Sequence, residues 1–266
     1  MVAPNGARKT KSDHDSLPVS IEDTVSEALS CFEAGASALH AHVRGRRKEH
    51  VLDAGLYREL IGEMTARVPR MLVQITSEAV GVYTPQQQAA CIQAVRPRMA
   101  SMGLKEITSN FEQPEYARDF FAWCDDNRVH IQHIVFSAEE FRQFLDYRER
   151  GIVPAAHRCV LFVLGRYRAD FQSEPADLEP FLQYDLAGLD WFTCAFGRLE
   201  QACVLAAIEA GGHARIGFEN NLFLPNGEIA ANTAALVTSL VAEMAHCGVG
   251  PAGAESAAQR LGIRSA

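Results

Sequence analysis

What this 266-residue chain lacks narrows its class first. No apolar run approaches the ~18 residues that a membrane span needs, and the N-terminus has no apolar signal-peptide core. Positive charge is in deficit: 25 Lys and Arg stand against 33 Asp and Glu, a formal net charge of −8. That balance argues against nucleic acid or an anionic membrane surface as the main partner. Cysteines number seven, an odd count, and none forms a Cys-x-x-Cys pair. They read as small buried apolar side chains in a reducing cytoplasm. Cys194, on an expected strand, is the one to watch as a reactive thiol. No Gly-x-Gly-x-x-Gly follows any expected strand, which removes the fingerprint of a doubly wound dinucleotide-binding sheet, the alternative α/β architecture.

The composition is otherwise ordinary for a globular protein, 48% hydrophobic and 22% charged, enough for a sizeable core. Helical and strand patterns alternate along the whole length without a linker or a low-complexity segment. Helices are expected over residues 21–34, opened by Ser20 with Glu22 and Asp23 in the first turn and closed by Gly35, then 54–68, from Thr84-Pro85 onward, 114–127, from Ser137 onward, 178–186, 198–210 and 232–246. Strands are expected over 36–42, 71–75, 99–101, 129–136, 158–164, 191–196 and 214–217. This regular alternation implies a parallel sheet with helices outside. The length is close to the ~250 residues of a (β/α)8 TIM barrel, here a single domain over 1–266. Eight strands are reached only by counting the stub 2–5 as the first. So short a strand implies either a frayed first strand or a chain that begins too late.

Barrels gather functional groups at the C-terminal ends of their strands. His40-Ala41-His42 lies at such an end, on the second expected strand. Residues two apart on a strand share a face, so the two imidazoles project side by side. Adjacent neutral imidazoles suit a first-row metal, Zn²⁺ above all. The plain alternative is a hydrogen-bonded pair at a rim. The eighth strand ends in Arg215-Ile216-Gly217-Phe218-Glu219-Asn220-Asn221, with Arg215, Gly217 and Glu219 on one face. Glu219 would reach the rim beside the histidines, and two His with one carboxylate leave a coordination position open, the pattern of a catalytic zinc. Arg215 starts about 13 Å deeper at ~3.3 Å per residue. A buried Arg needs a carboxylate partner or an anionic substrate. Thr76, Ser77 and Ser101, at the ends of the third and fourth strands, offer hydroxyls to a carboxylate or keto oxygen, although such residues are also common turn formers. The basic loop Gly165-Arg166-Tyr167-Arg168 could receive a phosphate-bearing cofactor or be a solvated loop. An amidohydrolase-type barrel fits less well. It places His-x-His on the first strand and needs a further histidine on the sixth; His133 is on the fifth, but 158–164 holds none.

With these blocks together, the chain resembles the β-keto acid cleavage enzymes. The resemblance runs through Asn5-Gly6-Ala7, Leu17-Pro18, Glu33-Ala34-Gly35-Ala36, His40-Ala41-His42-Val43-Arg44, Val73-Gln74-Ile75, Phe162-Val163-Leu164-Gly165, Gly211-Gly212-His213 and the 215–221 block. It implies a TIM barrel, Zn²⁺ on His40, His42 and Glu219, a homotetramer, and a reaction in which a β-keto acid and acetyl-CoA give acetoacetate and a new CoA thioester. It also places Thr76 and Ser101 where substrate carboxylate is held, and Arg215 at the active-site arginine. Three positions depart from the family pattern. Asn220 stands where members carry a proton-transferring Asp, Ile134 where they carry a strand-five Glu, and Arg8 where a carboxylate receives a substrate amine. Arg8 therefore points to a neutral or anionic substrate tail, or else to solvent and a pairing with Asp13 or Asp15. The replacement base is then zinc-bound hydroxide or a nearby carboxylate such as Glu78. The rival reading is a barrel that binds metal and a keto acid or CoA ester without turnover, as the missing Asp would allow.

Overall fold

The computed structural model describes residues 1–263. Seven parallel strands form one sheet in sequence order: β1 Ala38–Ala41, β2 Leu72–Thr76, β3 Met99–Gly103, β4 His130–Val135, β5 Cys159–Leu164, β6 Asp190–Ala195 and β7 His213–Ala214. Helices lie between them, as the alternation of patterns implies. The stub at the N-terminus is the eighth stave: Val2 bridges in parallel to Leu39 on one side and Ile216 on the other. Its backbone reaches both edges, with Val2 N–H donating to Ala38 O at 2.8 Å and Ala3 N–H to Ile216 O at 2.8 Å. The fold is therefore a TIM barrel, closed by a stave of about three residues.

Local signals explain most boundaries. Ser20, Asp53, Thr84, Ser137 and Asn232 each accept a backbone N–H at a helix start, and Thr84 with Gln87 completes a capping box. The 178–186 expectation is corrected: a 3₁₀ turn Pro175–Leu178 runs into the short helix Glu179–Leu182. The last strand is shorter than the expected 214–217, because Gly217 adopts φ +145° and a Cβ there would lie 2.3 Å from Ala3 O. Close backbone approach, with a conformation open mainly to glycine, bends the chain where the closing stave crosses it. Two short helices have no expected counterpart, Leu104–Ile107 after β3 and Ala254–Leu261 near the C-terminus.

Strand alternation divides the core in two. Ala38, Leu72, Met99, Leu161, Val163 and Phe192 fill the barrel, with Leu261 and Ile263 packed against them. The opposite faces, among them Leu39, Ile75, Ala100, Val160 and Phe162, pack against the helices. Six of the seven cysteines are buried and free. No helix among the described residues is long and apolar enough to cross a membrane.

Candidate active site

Polar residues interrupt the barrel filling at one level. His40 on β1 pairs in register with Gln74 on β2, and Ser101 on β3 pairs with Gln132 on β4. His40 Nδ1 lies 2.8 Å from Gln74 Oε1, and Gln74 Nε2 donates to Gln132 Oε1 at 3.3 Å. An amide oxygen only accepts, so His40 carries its proton on Nδ1 and its Nε2 is a bare lone pair. Burial, with Arg215 adding, pushes the His40 pKa down to about 3, so the ring is neutral.

A second relay fixes His42. His50 Nε2 lies 3.0 Å from the carbonyl of Glu78, which can only accept. Burial depresses the His50 pKa, so the neutral ring has a free Nδ1. That atom sits 3.3 Å from His42 Nδ1. His42, whose pKa burial drives well below its usual value, must then donate from Nδ1 and hold a lone pair on Nε2.

The two bare Nε2 atoms face each other at 3.2 Å. Glu219 completes the group, its Oε2 3.7 Å from His40 Nε2 and its Oε1 3.5 Å from His42 Nε2; Oε2 is buried and, although Arg215 Nη2 lies 3.3 Å away, makes no hydrogen bond. Two facing lone pairs and a carboxylate repel unless a cation lies among them. Tetrahedral zinc with bonds of ~2.0–2.1 Å sets its ligand atoms about 3.4 Å apart, close to the 3.2 Å between the two nitrogens, and one ligand atom from each of the three residues lies within 4.8 Å of the others. His40, His42 and Glu219 are thus a donor set that could hold a metal ion.

The N-terminal loop braces this group. Asn5 bonds both backbone polar groups of His42 at 3.0 Å. Arg44 donates to the carbonyls of Gly6, Ala7 and Lys9. Gly6 passes so near Glu219 that a Cβ would lie 2.6 Å from Glu219 Cγ. Lys9 ties down the carbonyls of Phe218 and Glu219 at 2.9 and 2.7 Å. Beneath the same loop, buried Glu200 accepts from Gly217 N–H at 3.0 Å and Asn221 Nδ2 at 3.3 Å, and burial lifts its pKa to about 8.

A pocket of about 560 Å³ opens over the group. Arg8, His40, Thr76, Glu78, Arg215, Glu219 and Asn220 line it, with an apolar wall that includes Ile134, Phe136, Val163 and Phe196. Arg215 is buried, and its Nη2 meets Glu219 Oε2 at 3.3 Å while Nε and Nη1 have no partner. Asn220 Oδ1 and Ser101 Oγ are likewise buried and unpartnered. Buried polar atoms are normally satisfied, so this concentration of free donors and acceptors is chemically meaningful. Ser101 lies outside the pocket lining, while Thr76 is in it. Arg8 sits at the mouth with a side chain 58% exposed and pairs with Glu78 at 3.3 Å, rather than with Asp13 or Asp15. Cys194 is no reactive thiol: burial pushes its pKa up to about 12.

His50, Gln74, Lys9, Glu106 and Glu200 escaped the reading of the chain as site residues. Gln74 and Gln132 had a signal, a glutamine inside an otherwise apolar strand. His50 had none, since seven residues separate it from His42. Two pocket residues are strained: Val80, β-branched, holds φ 46°, and Phe171 holds φ 51°.

The profile of the beta-keto acid cleavage enzyme family matches residues 1–263. A 3-keto-5-aminohexanoate cleavage enzyme from Fusobacterium nucleatum is 27% identical over 244 residues, 89% of this chain and 87% of the relative. A 3-oxoadipate:acetyl-CoA acetyltransferase from Cupriavidus necator is 24% identical over 252 residues, 91% and 86% of the two. Among solved structures, apo ObcA superposes with a TM-score of 0.71 at 14% identity, covering 93% of this chain but only 66% of that one. A type I 3-dehydroquinate dehydratase from Clostridium difficile gives 0.59 at 11% identity, covering 93% and 92%. At these identities the structural likeness speaks for the fold.

Proposed function

Because the chain belongs to the β-keto acid cleavage enzyme family, we propose that it exchanges acyl groups between a β-keto acid and acetyl-CoA, releasing acetoacetate and a new CoA thioester. The observation that carries this reading is the pair of lone pairs facing each other at 3.2 Å beside Glu219. Zn²⁺ is the ion best matched to two imidazoles and one carboxylate with an open position. Bound there, it would supply Lewis-acid polarisation of the keto oxygen.

The chain's own residues supply the rest. Arg215 offers Nε and Nη1 to the substrate carboxylate, a charge-assisted and directional contact. Thr76 accepts Glu78 N–H at 3.1 Å, which orients its hydroxyl to donate to the same carboxylate. Ser101, beside Thr76 in register on the next strand, holds a second, unpartnered hydroxyl next to it. Loss of a proton from the carbon between keto and carboxyl groups generates the nucleophile. That carbon attacks the acetyl thioester and releases CoA thiolate, which then cleaves the original acyl group from the adduct. Asn220 has no proton affinity to offer; its amide, free at Oδ1, orients rather than titrates. The apolar pocket wall excludes water from these steps.

The same reading takes the 266 residues as one barrel unit, a homotetramer working in the cytoplasm, where buried free cysteines persist. Light scattering tests the tetramer. The functional test is a screen of zinc-loaded protein against a panel of β-keto acids with acetyl-CoA, with metal analysis of wild type and His42→Ala. About one zinc per chain, lost in the variant, together with CoA-thioester formation supports the reading; full metal retention by the variant removes the metal assignment. Metal and keto-acid binding without product formation would favour the binding-only barrel, the reading that Asn220 leaves open.

A further inference from the structure

We propose that Glu106 is the proton acceptor of this reaction, taking the proton from the carbon between the keto and carboxyl groups. The inference rests on the acyl-exchange reading and fills the step for which Asn220 and Ile134 supply no base. A base must reach the substrate and be able to hold a proton at the working pH. Three carboxylates line the pocket. Glu219 is committed to the histidines and to Arg215. Glu78 is paired with Arg8 and lies 3.9 Å from His42. Glu106 is held by neutral donors instead: Ala79 N–H at 3.1 Å and Gln88 Nε2 at 2.8 Å, both on Oε2.

The carboxyl is placed with some care. It belongs to the short helix Leu104–Ile107 that leaves the end of β3. Gly103 makes the room, since a Cβ there would lie 3.1 Å from Glu106 Cγ, Cδ and Oε2. Gly103 pairs in register with Ile134, so the carboxyl stands over the strand ends at the pocket wall. Gln88 is fully buried and also donates to Ser77 O at 2.6 Å, which fixes the amide that orients Glu106.

The surroundings suit the role. Burial first, and then the charge of Glu78, raise the pKa of Glu106 to about 7, against the opposing pull of Ala79 N–H, Gln88 and Arg8. Tyr167 lines the same pocket, close enough for the charge of Glu106 to act on it, and Lys105 on the Glu106 helix lies 3.9 Å from Glu140. A base poised near neutrality combines an ionised fraction with real proton affinity. In the step, the C–H electron pair passes into the enolate and the proton is held on Glu106. After the acyl exchange, the acetoacetate enolate takes that proton back, so no net proton is consumed.

Acetoacetate, the constant product, is the probe, because by reversibility the same base must deprotonate it. The measurement is deuterium uptake at C2 of acetoacetate in D₂O, followed by NMR with metal-loaded full-length protein and no acetyl-CoA. Wild type should exchange above background, and Glu106→Gln at equal metal content should lose ~100- to 10,000-fold. Exchange within about threefold of wild type in that variant overturns the assignment. Glu106→Asp, which retains a carboxyl, should keep measurable exchange with a displaced pH dependence; an undisplaced profile counts against Glu106, also should Glu106→Gln fail to fold. If wild type neither exchanges acetoacetate nor turns over any acid of the panel, the acyl-exchange reading itself has failed.

Discussion

The Nδ1 atoms of His42 and His50 lie 3.3 Å apart, and the carbonyl of Glu78 decides which of them carries the proton. A backbone oxygen thus sets, through one intervening ring, the lone pair that His42 offers to a metal. Partners of this kind commonly change metal affinity 10- to 100-fold. His50→Ala should weaken zinc binding by about that factor, measured by competition with a chromophoric chelator. Unchanged affinity would mean that His42 selects its tautomer without help.

Asn220→Asp restores a carboxylate at a buried position beside Cys194, 3.8 Å away. If Glu106 already accepts the proton, the added carboxylate is a second base beside an existing one. Turnover of a β-keto acid should be preserved or raised. A fall of ~100-fold or more in kcat, the scale of losing a proton-transfer group, would give Asn220 a positive role of its own, through its free Oδ1.

The Arg8–Glu78 pair presents both charges at the pocket mouth, with Arg8 58% exposed. Solvent screens an exposed charge, so the apolar wall weighs more heavily on the substrate tail. Acids with a neutral tail should be favoured over amino-bearing ones. Arg8→Glu leaves two carboxylates side by side and should raise the relative kcat/KM for the amino-bearing acid by roughly tenfold, ~1.4 kcal/mol. An unmoved preference places the tail out of reach of residue 8.

Glu200 gives a stability signature. Its folded pKa of about 8 lies above its ordinary value of 4.5, because burial disfavours the charge. The folded state therefore binds a proton that the unfolded state has released between those values. The contribution is complete below pH ~4.5 and is lost as pH rises through ~8. Glu200→Gln removes this term, so the stability difference between variant and wild type should shift in the variant's favour across that window, by up to a few kcal/mol at ~1.4 per pH unit. Urea midpoints at several pH values check it; parallel curves would mean that Glu200 does not titrate on folding.

Legibility from the chain alone divided along physical lines. The parallel barrel could be read because β5, apolar on both faces, and the helix starts at Ser20, Thr84 and Ser137 are local signals. His40, His42 and Glu219 could be read because strand alternation and strand-end position are also local. His50 and Glu106 could not, since a loop histidine and a glutamate on a one-turn helix acquire meaning only from what the fold sets beside them. Arg8 lines the pocket, but its partner Glu78 is 70 residues away, and no spacing rule reaches that far.

The stave at Val2 has a consequence for how the molecule comes into being. Strands β1 to β7 each pair with the next in sequence, so they can assemble progressively as neighbours. The final seam joins Ala3 to Ile216, far apart along the chain, and such distant closures form slowly. Glu219 hangs from that seam, through its N–H on Ala3 O at 3.1 Å. An intermediate with an open seam would hold His40 on β1 and His42 just past its end, yet lack the carboxylate. Tight metal capture should therefore report the last act of folding, and a metal-sensitive dye would time it.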